Sequence, residues 1–320
     1  SMLAYWLTEL GQKNIVGLEK SSVIPSDIAS TAHASDFVYT TTHDKLGCWT
    51  TDFSRKFYED NGFFLKKGGL EICRKDDDAR WEELKRKVSS GKAFGTNIRL
   101  ISASEAKEKF PLLDEDSIRG AMWDPDAGLV TPRSQDVVSF AVETAKEKGA
   151  LKTFTETPAI DFEIEDGRIT GVKTDKGIIK TNKVVIASGI WGPLMGKKAG
   201  VPVPLMPLEH PLLFFGPLPE AQGAEDFLVY PLLRDQGNSA YVRDTGRLHG
   251  GMLEWGYYED KNPRLVDPED IGNPEKTMGS DSMRYLDLEE VAEPLEKAFE
   301  TTPILNELGW DEKSSFNGLL

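Results

Sequence analysis

The residues that could do chemistry are few and lie far apart along the chain. Glu19 closes a short apolar run, Asn14-Ile-Val-Gly-Leu18. An acid at the end of such a strand is where a dinucleotide-binding βαβ unit holds a ribose hydroxyl. A second run, Lys183-Val-Val-Ile-Ala187, enters the turn Ser188-Gly189-Ile190-Trp191-Gly192, and small residues there let a cofactor approach the backbone closely. Tyr241 and Arg243 stand two apart in a strand-like run, so alternation puts both on one face. Two partners are open to Arg243 there, a substrate carboxylate or a surface acid. The four histidines, His33, His43, His210 and His249, are not spaced like a zinc motif, and no metal site is expected.

These residues need elements to position them. From Met2 to Leu10, the residues Leu3, Trp6, Leu7 and Leu10 fall on one helical stripe that Gly11 ends. Helix, tight turn, buried parallel strand and terminal acid suit either the second half of a dinucleotide-binding unit, whose first strand and GxGxxG turn would stand before Ser1, or any α/β protein in which an acid ends a strand. Ser134 to Lys148 reads as an amphipathic helix with Val137, Val138, Ala141, Val142 and Ala145 on its apolar face. Strands follow at Leu151–Phe154, Ile160–Ile164 and, after the Asp166-Gly167 turn, Ile169–Thr174, and then a buried strand at Lys183–Ala187.

Elsewhere Gly68–Arg74 and Ile118–Val130 read as strands around charged helical segments, Asp76–Val88 and Ser104–Phe110. Leu212–Phe215, Ala240–Arg243 and Leu248–Trp255 suit an antiparallel sheet, and Leu286–Glu300 reads as an amphipathic helix. The fold class is α/β (α+β overall), a Rossmann-like domain interrupted by an antiparallel-sheet domain. The expected division gives 1–66 and 130–204 to the dinucleotide-binding domain and 67–129 and 205–314 to the inserted one, with 315–320 opening a further segment.

Composition sets outer limits. The 320 residues, 39% hydrophobic and 28% charged, suit a globular protein of about two domains. Thirty-eight basic against fifty-three acidic residues give a net charge of −15, which repels phosphate backbones and makes nucleic acid an unexpected partner. The longest apolar run, Pro211–Phe215, is far short of a membrane span. Cys48 and Cys73 form no CxxC pair. Cysteine usage of this kind fits a reducing compartment, cytoplasmic or the mitochondrial matrix in a eukaryote.

Several segments, in this order, carry a family pattern: Ala4-Tyr-Trp-Leu through Leu18-Glu19-Lys20, Ser30-Thr31-Ala32-His33-Ala34, Phe110-Pro-Leu-Leu113, and Gly128-Leu-Val-Thr-Pro132. Ala187-Ser-Gly-Ile-Trp191, Pro207-Leu-Glu-His210, Ser239-Ala-Tyr-Val-Arg243 and Phe316-Asn-Gly318 continue it. Over nearly its whole length the chain resembles the D-amino-acid-oxidase-like FAD-dependent oxidoreductase superfamily, and most closely the dimethylglycine/sarcosine dehydrogenase branch.

The resemblance implies FAD as cofactor, bound by Glu19, Lys20, Ser30, Thr31, His33, Ile160, Ala187, Gly189 and Trp191. It implies covalent attachment of the flavin through His33, although Ala29, Ser35 and Asp36 replace the family's small residues around that motif. It also implies an amine pocket with His210 and Tyr241 as catalytic residues, joined by Arg243. A histidine beside the amine can take its proton, and a tyrosine hydroxyl can bond the amine or its carboxylate. Glu209, Trp255 and Tyr257 are open between pocket, core and surface.

The implied activity is FAD-dependent oxidation at a CH–NH bond of a secondary or tertiary amine, an N-methylated amino acid such as dimethylglycine or sarcosine. Hydride passes to flavin N5, the iminium hydrolyses, and oxygen or an electron-transfer protein accepts the electrons. The family continues past Leu320, so the chain reads as truncated at both ends. Two further readings stay open: a non-catalytic scaffold that cannot hold FAD alone, and a related flavoenzyme acting on another amino acid or a hydroxy acid.

Overall fold

The computed structural model describes residues 1–41, 44–258 and 263–320, so His43 lies outside the described residues. The first helix, Met2–Glu9, sets Tyr5 against Phe57 and Phe140, with ring centroids 5.5 and 5.9 Å away. The chain turns, and Ile15–Leu18 runs parallel to Leu151–Phe154 with Ile15 opposite Leu151. The helix Ser134–Glu147 buries Val137, Ala141, Val142 and Ala145, a stripe at helical spacing that closes a small core with Leu151, Ala4 and Ile15.

Two expectations for this region need correction. The Ile15–Leu18 strand is parallel but not buried, since Val16 is 41% exposed. Lys183–Ala187 is not a strand: Val185 and Ala187 are exposed, and no described strand pairs with it. Apolar residues favour a ladder but do not supply the neighbouring backbone that a ladder requires. The Asp166-Gly167 turn does form, both residues taking positive φ (50° and 72°), and it joins Ala159–Glu165 to Arg168–Thr174. Gly177–Lys180 adds a third strand to this meander that the sequence pattern does not mark.

A nine-stranded sheet dominates the rest of the molecule. Its order is Met283–Arg284, Phe316–Leu319, Glu209–Phe215, Leu253–Tyr257, Ala240–Asp244, Leu232–Asp235, Gly69–Arg74, Ile118–Asp124 and Arg99–Ser102. Neighbours are antiparallel except at one seam, where Leu232–Arg234 lies parallel to Gly69–Glu71. The run expected as one strand over 118–130 is two. Asp124 breaks it by accepting hydrogen bonds from the Asp126 and Thr40 amides (3.1 and 2.7 Å). Gly128–Val130 then joins a separate sheet with Phe37–Val38 and Phe64–Lys66.

The strand expected over 248–255 begins only at Leu253. Before it, Thr245 Oγ1 donates to the Leu248 carbonyl and accepts from the Met252 amide, closing a loop in place of a ladder. The helix expected from Leu286 starts at Ala292, after a short turn at Leu288–Val291.

Alternation divides the large sheet into two faces. Leu213, Phe215, Val242, Leu253 and Trp255 enter the main core with Val291, Leu295 and Ala298. Leu212, Phe214, Tyr241 and Phe316 pack together on the other side. Among the described residues no helix is long and apolar enough to cross a membrane.

Glu71, fully buried on its strand, is held by Lys87 at 2.6 Å, with Arg80 at 3.9 Å. Removing one partner strands a charge in a medium that cannot solvate it. Lys87→Met is expected to cost about 3 kcal/mol, read as a lower urea midpoint. Glu71→Leu combined with Lys87→Met should recover most of that loss, and a double variant as weak as the single would show that the charge pair is not the cause.

Candidate active site

Strand register assembles the site. Tyr241 and Leu212 both lie opposite Gly256, and Arg243 and Phe214 both lie opposite Glu254. A Cβ at Gly256 would stand 2.0 Å from Cζ of Tyr241, so only glycine leaves room for that ring. His210 is two residues before Leu212 and Tyr258 two beyond Gly256, which brings their rings together at 3.8 Å and 31°. Tyr241 lies 6.2 Å from the His210 ring, 5.9 Å from Tyr258 and 4.8 Å from Phe37. The Tyr241 and Ser35 hydroxyls share a hydrogen bond of 2.6 Å.

Burial controls the charges on this face. His210 is 7% exposed and neither ring nitrogen has a hydrogen-bond partner. Desolvation lowers its pKa to about 4, so at neutral pH the imidazole is uncharged. Burial, with Glu254 adding to it, pushes the Tyr241 hydroxyl well above the usual tyrosine value, and the Ser35 bond opposes the rise only in part. Arg243 pairs with Glu254 at 2.5 Å, both buried. Its partner is therefore an interior acid, not the surface acid that the sequence left open. The pair leaves Arg243 Nε and Glu254 Oε1 without hydrogen-bond partners.

The His33 turn is tied to the same face. Ser30–His33 forms a single 3₁₀ turn, with Thr31 half-buried on it. Ser30 Oγ donates to the Leu319 carbonyl at 2.8 Å, and the His33 ring meets Phe316 edge-on at 5.5 Å. Asp36 is buried and pairs with Arg133 at 2.9 Å, while Arg133 donates to the Ala34 carbonyl, also at 2.9 Å. Desolvation raises the Asp36 pKa, and Arg133 opposes that rise. Desolvation and then Arg133 lower the pKa of His33, with Asp27 acting the other way.

The remaining cofactor candidates behave unevenly. Lys20 Nζ stands 3.9 Å over the Trp191 ring and 2.6 Å from Asp281, so the end of the first strand meets the Gly189–Trp191 turn. Glu19 Oε1 accepts from the Ser21 amide at 2.8 Å. Gly189 takes φ +53°, and nothing lies within 4 Å of where its Cβ would be. Ala187 is exposed on the unpaired run, and Ile160, 44% exposed, sits on the separate meander.

These features fit a bound flavin nucleotide: His33 Nε2 and Ser188 Oγ are buried without partners, and the backbone at Gly189 is clear. Trp255 and Tyr257 pack in the core, and Glu209 pairs with Arg284 and Arg264. Ser35, Arg133, Glu254 and Tyr258 belong to the site although no sequence pattern marks them. The two-residue step from Gly256 to Tyr258 is the one signal that alternation offers.

Buried neutral His210 gives the protein a pH dependence with a definite sign. Below about pH 6.5 the unfolded chain takes up a proton that the folded imidazole refuses until about pH 4. Stability is therefore intact above that window and falls as the pH drops through it. At about pH 5 the loss from this group is roughly 2 kcal/mol. His210→Gln should shrink the stability lost between pH 7 and 5 by about that amount in urea melts; equal losses in both proteins would contradict the burial argument.

With this geometry in hand, similarity to known proteins becomes informative. Rat (Rattus norvegicus) dimethylglycine dehydrogenase, mitochondrial, is 26% identical over 311 residues, covering 95% of this chain and 34% of its own length. Human (Homo sapiens) sarcosine dehydrogenase, mitochondrial, is 29% identical over 273 residues, covering 80% of this chain and 26% of its own. The chain thus spans about a third or less of the curated relatives it matches. Among solved structures, L-proline dehydrogenase from P. horikoshii superposes with a TM-score of 0.78 at 25% identity, covering 99% of this chain and 77% of that one. The model of the DAO family, FAD dependent oxidoreductase, matches residues 1–319, and the chain belongs to that family.

Proposed function

We propose that this chain is the FAD-binding and substrate-binding part of an oxidoreductase that oxidises a secondary or tertiary amine, an N-methylated amino acid such as dimethylglycine or sarcosine. The observation that carries this reading is the buried, uncharged His210, with two unpartnered nitrogens, on one sheet face with Tyr241 and Arg243. Relatives named for dimethylglycine, sarcosine and L-proline support it, since all three substrates are secondary or tertiary amines.

Glu19, Lys20, Ser30, Thr31, His33, Ala187, Gly189 and Trp191 would hold FAD, with Ile160 at the margin. When bound, FAD supplies the two-electron acceptor for oxidation of the carbon next to nitrogen. The protein's part is to deliver the amine uncharged and correctly placed. A substrate ammonium has no lone pair to push out a hydride, and a dry pocket beside an imidazole that stays uncharged favours the amine in its neutral form, which a ring nitrogen of His210 can hydrogen-bond. Tyr241 keeps its own proton in this dry setting and donates a hydrogen bond to the amine or its carboxylate. Arg243, oriented by Glu254, offers Nε to the carboxylate. The nine-stranded sheet, drawn from 67–129 and 205–314 together with the Phe316–Leu319 strand, which pairs inside it instead of opening a separate segment, would form the substrate side, and 1–66 with 130–204 the cofactor side. Oxygen or an electron-transfer protein takes the electrons onward, in the cytoplasm or the mitochondrial matrix.

A visible spectrum of the purified protein, repeated after acid precipitation, tests the cofactor. Flavin absorbance staying with the pellet, and lost in His33→Ala, is the expected result. Flavin that remains bound in the variant removes His33 as the attachment point. No flavin even after incubation with FAD would favour a non-catalytic scaffold.

The catalytic roles are read separately by anaerobic stopped flow. His210→Ala should slow flavin reduction by dimethylglycine by about 10²-fold or more, and Tyr241→Phe by a smaller factor. Unchanged rates would take both residues out of the pocket.

A further inference from the structure

We propose that Tyr258 is the gate and size selector of this site: its ring covers the His210 imidazole, and an amine reaches that imidazole only when Tyr258 moves aside. The proposal rests on the amine-oxidising reading given above and deepens it by naming the residue that limits substrate bulk. Burial of the two rings is opposite. His210 is 7% exposed, whereas Tyr258, whose ring centroid lies 3.8 Å away, is 47% exposed. The imidazole is thus kept dry by a side chain that itself faces water.

The other rings of the cluster are poorly placed to move. Tyr241 is 6% exposed, confined over Gly256, packed on Phe37 and hydrogen-bonded to Ser35. Tyr258 differs in how it is held. Its amide donates to the Ser239 carbonyl at 2.8 Å, which fixes the backbone at the end of the strand and leaves the side chain free to turn about its first torsions. A ring swinging from an anchored backbone is a small rotation, not a loop rearrangement. The displaced ring then forms a wall opposite Tyr241, and two aromatic faces flanking a cationic or neutral alkylamine suit its N-alkyl groups. The distance between those faces limits how large the groups can be.

The proton affinity of His210 reports on the gate. Among the described residues, Tyr241 and Tyr258 are the titratable groups whose rings face it. On the neighbouring strand its pairing partner is Gly318, which has no side chain. Glu209 points to the opposite face and is engaged by Arg284 at 3.0 Å and Arg264 at 3.4 Å. Desolvation is the cause of the low value, so taking away the covering ring acts through water rather than through charge.

The test uses the purified full chain with FAD and three variants, Tyr258→Ala, Tyr258→Leu and Tyr258→Phe. The first readout is the NMR titration of the His210 ring. The second is the ratio of kcat/KM for N,N-diethylglycine to that for N,N-dimethylglycine. In Tyr258→Ala the titration midpoint should rise by about one pH unit or more toward the ordinary histidine value, and the ratio by about tenfold. Tyr258→Leu should lie between, and Tyr258→Phe should keep the parent's midpoint and ratio. If the parent oxidises dimethylglycine while the alanine and leucine variants retain both its midpoint and its ratio, the gate is wrong and the functional reading stands. A parent that holds flavin but oxidises no amine overturns the functional reading, and the size selection with it.

Discussion

The absence of a side chain at position 256 is the constraint on which the site depends. Tyr241 lies across the neighbouring strand, and the space its ring fills is the space a Cβ at Gly256 would take. Because the ring can lie there, its hydroxyl reaches Ser35 and its edge meets Phe37. Both partners come from the segment just after His33. One missing methyl group therefore links the antiparallel sheet to the turn expected to hold the cofactor. Beside that link, the Phe316 contact with His33 and the Ser30 bond to Leu319 tie the same turn to the sheet.

Around this link, buried charges are used as fixed supports. Arg243 is held by Glu254, Arg133 by Asp36, and the Thr40 amide and hydroxyl by Asp124. Each pair joins segments distant in sequence or on adjacent strands, and in each the acid is buried, where its geometry is enforced more strongly than at the surface. The net charge of −15 belongs to the outside of the molecule and does not describe this interior.

Much of this was legible in the sequence where the signal is local. The parallel strand before Glu19, the apolar stripe of Ser134–Glu147 and the face shared by Tyr241 and Arg243 all follow from periodicity, and the Asp166-Gly167 turn follows from residue type. The misses have a common cause. Lys183–Ala187 has strand composition but no described partner, and Leu248–Met252 has strand composition but is closed into a loop by Thr245. Whether a run becomes a ladder depends on a neighbour that the run does not encode. The same holds for Ser35, Glu254, Arg133 and Tyr258. Each acquires its role from register or packing across the sheet, and register between distant strands leaves no mark in local pattern. Ser35 and Asp36 stood out in the sequence only as departures from the family motif, and in the structure those two departures bond Tyr241 and Arg133.

The single parallel seam of the large sheet, between Gly69–Glu71 and Leu232–Arg234, bears on how the protein is made. A ribosome delivers the Gly69–Arg74 strand long before its partner exists. Until then one edge of an almost wholly buried strand has nothing to pair with. The His33 turn waits longer still, since the carbonyl that Ser30 bonds belongs to Leu319. Assembly dominated by such distant pairings is slow, and it leaves apolar edges open while it proceeds. The Ser30 turn and the open edge of Gly69–Arg74 are therefore completed only once Leu319 and Leu232–Arg234, respectively, have been made.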